Sequence, residues 1–154
     1  EAIHNLAVAL RPSVLDDLGL VPAVEMLVRG FITRQEIPVE LTIIGFAEKR
    51  PDGCTETCVY RIVQEALSNV ARHARATEVS VLLEWRGENI RGVIEDNGIG
   101  FEPERVDSKT KLGVLGMKER AQLLQGTFRI ESGPGDGTML VFEMPAKAGV
   151  CHEQ

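Results

Sequence analysis

The chain has 154 residues, 44% of them hydrophobic and 26% charged, with a formal net charge of -6, a length that suits one domain around one core. That acidity excludes non-specific DNA or RNA binding, which needs clustered cations to displace counterions from phosphates, and no apolar run approaches the ~20 residues of a bilayer-spanning helix. Any anionic ligand must therefore be held by local groups.

Residues 1–10 carry Ile3, Leu6, Ala7 and Leu10 at the i, i+3, i+4, i+7 spacing of an amphipathic helix, and Pro12 stops it. With no initiator Met, basic stretch or apolar leader ahead of it, the chain reads as an excised part of a longer protein, without a targeting peptide. A second helix is predicted over 18–35, capped by Asp16 or Asp17 and aligning Leu20, Val24, Leu27, Val28 and Phe31. Pro38 breaks it, and 39–44 reads as a strand. Residues 54–74 form a long helix whose buried stripe is Val59, Val63, Leu67, Val70 and Ala74. Val79, Val81, Leu83 and Trp85 alternate with smaller or polar neighbours, and 90–95 returns as the partner strand after a turn near Gly87. Residues 115–124 are helical and stop at Gly126; 128–132 and 138–144 make a last hairpin around 133–137. Residues 102–111 and the tail after Pro145 read as flexible. The fold class is α+β: a two-layer sandwich in which a mixed, mostly antiparallel sheet is covered on one face by helices. Cys54, Cys58 and Cys151 make an odd set without a CxxC pair, which reads as ordinary thiols in a reduced, cytoplasmic setting.

Four constellations carry chemistry. Glu65, Asn69, Arg72 and His73 fall within about a third of an ideal helix circumference, opposite the apolar stripe. An amide oxygen is a hard ligand suited to Mg²⁺, a carboxylate one turn earlier can orient water or take a proton, and Arg72 and His73 can meet phosphate oxygens. The same residue types are also common on a solvated helix face. Asp96-Asn-Gly-Ile-Gly-Phe101 follows a predicted strand; Gly98 and Gly100 permit a sharp turn and close ligand approach, while Asp96 can accept a hydrogen bond from an exocyclic amine. Gly113 and Gly116 are expected just ahead of a helix, where free amides bind phosphate, with Lys111 beside them as a cation. Gly135-Asp-Gly-Thr138 enters the last strand, where the Thr138 hydroxyl could share a water or a bond with Asp96.

In that order the four motifs resemble the N, G1 and G2 boxes of the GHKL ATPases, which include sensor histidine kinases, DNA gyrase, Hsp90 and the mismatch-repair protein MutL. The resemblance runs from about Val39 to Pro145 and implies the Bergerat ATP-binding fold. Leu10-Arg-Pro-Ser-Val-Leu-Asp-Asp-Leu-Gly-Leu-Val-Pro-Ala23 further resembles the junction in sensor kinases of the nitrate/nitrite type, between the dimerisation hairpin and the catalytic domain. It implies that 1–16 end that hairpin, 17–146 form the catalytic domain and 147–154 a tail. It implies Asn69 as a Mg²⁺ ligand, Glu65 at the phosphoryl-transfer site, Arg72, His73 and Lys111 on phosphates, and Asp96 on adenine. Gly98, Gly100, Gly113 and Gly116 would give the nucleotide room, Thr138 would support Asp96, and 102–111 would be a mobile lid. ATP and Mg²⁺ are the implied cofactors; the protein's own dimerisation domain and a response regulator are the implied partners. The family's phosphoacceptor, a His followed by an acidic residue, is missing, since His4 precedes Asn5, His73 lies in the nucleotide motif and His152 is in the tail. A serine kinase of the anti-sigma-factor type shares the fold but lacks the junction, and a purely ATP-controlled binding module is the reading from another class.

Overall fold

A computed structural model describes residues 12–149, apart from the side chains of Ala74 and Pro103. The helix expected over 1–10 and residues 150–154 of the tail lie outside the described residues. Four α-helices are present among them: α1 (Ser13–Leu18), α2 (Leu20–Gln35), α3 (Gly53–Asn69) and α4 (Ser108–Leu123). The strands are β1 (Val39–Ile44), β2 (Val79–Arg86), β3 (Asn89–Asp96), β4 (Thr127–Ser132) and β5 (Thr138–Pro145), in the order β1-β2-β3-β5-β4. β1 runs parallel to β2 and the remaining pairs are antiparallel, so the sheet is mixed and mostly antiparallel. A parallel pair needs a crossover, and α3 supplies it.

Alternation along the strands builds the core. Val79, Val81 and Leu83 of β2, Ile90 and Ile94 of β3, and Leu140, Phe142 and Met144 of β5 are buried, while most of their neighbours on the other face stay partly exposed. The buried set meets Val59, Val63 and Leu67 of α3 and Val24, Val28 and Phe31 of α2. Each such side chain contributes about 1.5–3 kcal/mol on burial, which anchors α3 against the sheet and fixes where its last turn ends.

Three elements differ from the sequence expectation. The helix over 18–35 is divided: the chain makes α1, breaks at Gly19 (φ 91°) and restarts at Leu20, so Asp16 and Asp17 lie inside α1 and the N-cap position of α2 is Gly19. A left-handed φ suits glycine, and the apolar stripe runs through both helices, hiding the break. The helix over 54–74 stays α-helical only to Asn69 and continues as a π turn, Val70–Ala74, closed by Arg75 at φ 51°. Residues 102–111 are not an irregular loop: a 3-10 turn, Pro103–Arg105, leads into α4, which begins seven residues earlier than expected, at Ser108 rather than 115. Asp107 caps it by accepting the Thr110 N–H at 2.9 Å. Cys58 is a free, buried thiol that burial pushes up to about 12; Cys54 is disulfide-bonded, contrary to the reading of three ordinary thiols.

Candidate functional site

The end of α3 and the end of β3 converge on one cleft. Asn69 is the last residue of α3, Arg72 and His73 follow on the π turn, and Asp96 ends β3 between β2 and β5. Between them lies a cavity of about 30 Å³ bounded by Asn69, His73, Asp96, Gly100, Phe101 and Thr138, with Ile94, Ile130 and Leu140 as apolar floor.

Asp96 is 8% exposed. Its Oδ1 accepts the Gly98 N–H at 2.8 Å, and a backbone hydrogen bond from Thr138 also reaches the carboxylate. Burial pushes the carboxyl above the ordinary carboxylate range, and the two backbone bonds pull the other way. A carboxylate has about four acceptor positions, so Asp96 keeps capacity for a donor arriving from the cavity. The loop after it is folded onto the β4–β5 turn. Gly100 has φ 68°, and a Cβ there would collide with the Gly133 carbonyl oxygen. Gly135 N–H donates to the Ile99 carbonyl at 2.6 Å, and Phe101 N–H to Ser132 Oγ at 2.9 Å. Ser132 Oγ lies 3.1 Å from the Gly137 carbonyl and 2.8 Å from Thr138 Oγ1. A hydroxyl has one hydrogen, so Ser132 donates to Gly137 and Thr138 donates to Ser132. Thr138 therefore supports Asp96 through its backbone, not through the hydroxyl that the sequence suggested.

On the other side of the cleft the polar residues satisfy one another. Arg72 Nη2 donates to Asn69 Oδ1 at 2.6 Å, Nη1 to Ser68 Oγ at 3.0 Å, and the guanidinium lies 3.7 Å from Glu65. The π turn, with i→i+5 bonding, takes Arg72 and His73 off the ideal helical lattice; Arg72 turns back onto Asn69 while His73 Nε2 meets Thr110 Oγ1 of α4 at 2.6 Å. Thr110 is fully buried, and its hydrogen bonds hold the Asp107 carboxyl below its usual range, helped by the charges of His73 and Arg72. Gly113 lets α4 press on Glu65, because a Cβ there would strike the Glu65 carboxylate.

Asn69, His73, Asp96, Gly100 and Thr138 thus share one cavity, with Gly98 holding Asp96 and Glu65 and Arg72 at the rim. Lys111 is exposed on α4. The proposed phosphate site at a helix start is not formed: Gly113 and Gly116 lie inside α4, beyond its four free N-terminal amides, and nothing within 4 Å requires a glycine at 116. Sequence reasoning missed Ser132 and Thr110. The Asp107-x-x-Thr110 spacing is a readable cap signal; Ser132 carries no local signal for its contact with Phe101 N–H, which comes from 31 residues away. The donor set fits a hard cation and an adenine, since a helix presents a carboxylate and an amide oxygen one turn apart and the strand end presents a buried carboxylate. The room is narrower: 30 Å³ holds a water or two, against roughly 300 Å³ for a small-molecule site. Entry of a nucleotide therefore requires the lining residues, Gly100 and Phe101 among them, to move apart.

Residues 54–148 match the family of histidine kinase-, DNA gyrase B- and HSP90-like ATPases. Over 143 residues the chain is 41% identical to the oxygen sensor histidine kinase NreB of Staphylococcus carnosus, covering 93% of this chain and 41% of that protein. It is 36% identical, also over 143 residues, to the signal transduction histidine-protein kinase/phosphatase DegS of Brevibacillus brevis, covering 93% of this chain and 36% of that protein. The chain thus spans well under half the length of both. Among solved structures it is similar to the Acinetobacter baumannii histidine kinase AdeS, with a TM-score of 0.65 and 18% identity over 94% of this chain and 76% of that one, a likeness of fold.

Proposed function

This chain belongs to the family of histidine kinase-, DNA gyrase B- and HSP90-like ATPases, and from that premise we propose that it is the ATP-binding catalytic part of a sensor histidine kinase. It presents the γ-phosphate of ATP to a histidine on a separate dimerisation domain, from which a response regulator takes it. Residues 10–23 form the junction to that domain. The observation that carries the reading is Asp96: a carboxylate 8% exposed, clamped by two backbone amides at the end of a central strand, opposite Asn69 and His73 across an apolar-floored cavity. Two histidine kinases related to it across 93% of its length, one of them named an oxygen sensor, support the same reading.

Each residue's part follows from its chemistry. Asp96 accepts a hydrogen bond from the adenine amine, and Ile94, Ile130 and Leu140 exclude water from the ring. Asn69 would hold Mg²⁺, which when bound would supply neutralisation of the phosphate charge. Arg72, released from Asn69, and His73, released from Thr110, turn to phosphate oxygens, with Lys111 adding a cation at the rim. Glu65 orients the incoming imidazole. No residue forms a covalent intermediate; catalysis is positioning and charge neutralisation. Among the described residues no helix is long and apolar enough to cross a membrane. Calorimetric titration tests the binding half. ATP should bind with an affinity that Mg²⁺ raises, adenosine should bind without Mg²⁺ dependence, and a chain that ignores ATP at millimolar concentration would refute it.

A further inference from the structure

Besides Asp96, Glu56 is a buried charged residue, and nothing in the nucleotide reading uses it. It sits in the first turn of α3, fully buried. Its Oε2 accepts the Leu20 N–H at 3.1 Å and Arg50 Nε at 2.8 Å, and its Oε1 accepts Arg50 Nη2 at 3.1 Å. The same Arg50 Nη2 donates to the Leu15 carbonyl at 2.5 Å. One ion pair thus grips the chain on both sides of the α1–α2 break: the last turn of α1 through Leu15 and the first amide of α2 through Leu20. Leu15 and Leu20 are themselves buried, at 0% and 2% exposure. Between them Gly19, at φ 91°, lies against the clamp, where a Cβ would stand 3.2 Å from Arg50 Nε. A bidentate Arg–carboxylate pair fixes orientation as well as distance. Glu56 is nine residues before Glu65 on the same helix, ~14 Å along its axis, so the junction is tied to the rigid element whose other end carries Glu65 and Asn69.

We propose that Glu56 and Arg50 are positioning residues for phosphoryl transfer: they lock the junction onto α3 and so set the direction from which the phosphoacceptor domain reaches the site. This rests on the reading that the chain serves an acceptor domain joined through residues 10–23. The clamp touches neither nucleotide nor acceptor, and it acts only when the two domains share one chain.

That property defines the test, made in the full-length protein and with the dimerisation domain added as a detached piece. Glu56→Gln keeps the shape and one acceptor for Leu20 N–H but loses the charge. At saturating ATP, histidine labelling in the linked protein should fall on the order of ten- to a hundredfold, as a misplacement of about 1 Å does. ATP affinity should stay within about twofold, and the detached domain should be labelled at the wild-type rate. Gly19→Ala strains the same junction and crowds Arg50 while keeping both charges, and should show the same split, as should Arg50→Lys, which decide the matter if Glu56→Gln does not fold. Linked labelling at the wild-type rate in the folded variants would overturn the proposal. So would an equal loss of linked and detached labelling, or a loss of ATP affinity, because the clamp would then merely hold the domain together. A wild-type protein that labels no histidine in either format refutes the kinase reading itself.

Discussion

Replacing Asp96 with alanine removes the acceptor on which nucleotide selectivity depends in the proposed function. The carboxylate is 8% exposed, accepts from Gly98 at 2.8 Å and takes a backbone bond from Thr138, which leaves it fixed and aimed at the cavity. A hydrogen bond to a charged group contributes about 1.5–3 kcal/mol, and the alanine variant should therefore bind ATP about ten- to over a hundredfold more weakly. It also strands the two amides, each costing roughly 1–3 kcal/mol if left without water, so its melting temperature should fall and titrations belong well below it. Wild type should discriminate against GTP by a similar factor. Guanine has a carbonyl where adenine has the amine, and the carboxylate would face a lone pair instead of a donor. Asp96→Asn keeps an acceptor oxygen and gains a donor, which should narrow the ATP preference without abolishing binding. Isothermal titration of ATP and GTP against the three proteins measures all of this. A folded Asp96→Ala chain that binds ATP within about twofold of wild type would refute the role and leave Asp96 as the start of a turn.

Asn69→Ala should keep its fold and its adenosine affinity yet lose the Mg²⁺-dependent part of ATP affinity if the proposed amide ligand of the cation is Asn69; titrations with and without Mg²⁺ decide. Thr110→Val removes the partner of His73, whose 2.6 Å contact ties this cavity-lining side chain to α4. A net hydrogen bond of about 0.5–1.5 kcal/mol then no longer opposes entry, so ATP affinity should rise roughly two- to tenfold, and a fall would show that Thr110 belongs to the bound state instead. Asp96 also has a pH signature. Its folded pKa is raised by burial, so the folded chain holds the proton to higher pH than the unfolded one, which ionises near ~3.9. The stability this contributes is complete below that value and lost as pH rises through the folded pKa. In thermal melts wild type should therefore gain on the non-titrating Asp96→Asn as pH falls from 7 toward 4, and parallel curves would contradict the burial argument.

Period-2 and helical patterning made the sheet and the α3 stripe legible, because Val79, Val81 and Leu83 or Val59, Val63 and Leu67 answer to one buried face. Asp96 was legible for another reason: a carboxylate at a strand end before two glycines is a chemical signal independent of packing. What escaped depends on long-range partners or rare backbone. Gly19 breaks a stripe whose apolar positions continue on both sides. The π turn at Val70–Ala74 leaves no mark in a 3.6-residue period. The first turns of α4 are polar, Ser108-Lys-Thr-Lys111, so apolar spacing begins only well after the capping Asp107 and marks the helix start too late. Ser132 and the Arg50–Glu56 clamp are set by contacts across 31 and 36 residues of chain, to Phe101 and Leu20. Even so, Glu56 lies three and seven residues before Val59 and Val63, a carboxylate on an apolar stripe, and such a group must find a cation inside the protein.

The phosphoryl group itself gives the most direct test. This chain, mixed with a dimerisation domain carrying the acceptor histidine and given γ-labelled ATP with Mg²⁺, should transfer label to that domain as an acid-labile, hydroxylamine-sensitive phosphohistidine, and should carry none itself. Label that survives acid, label on the chain alone, or no transfer from a chain shown by titration to bind ATP would contradict the account.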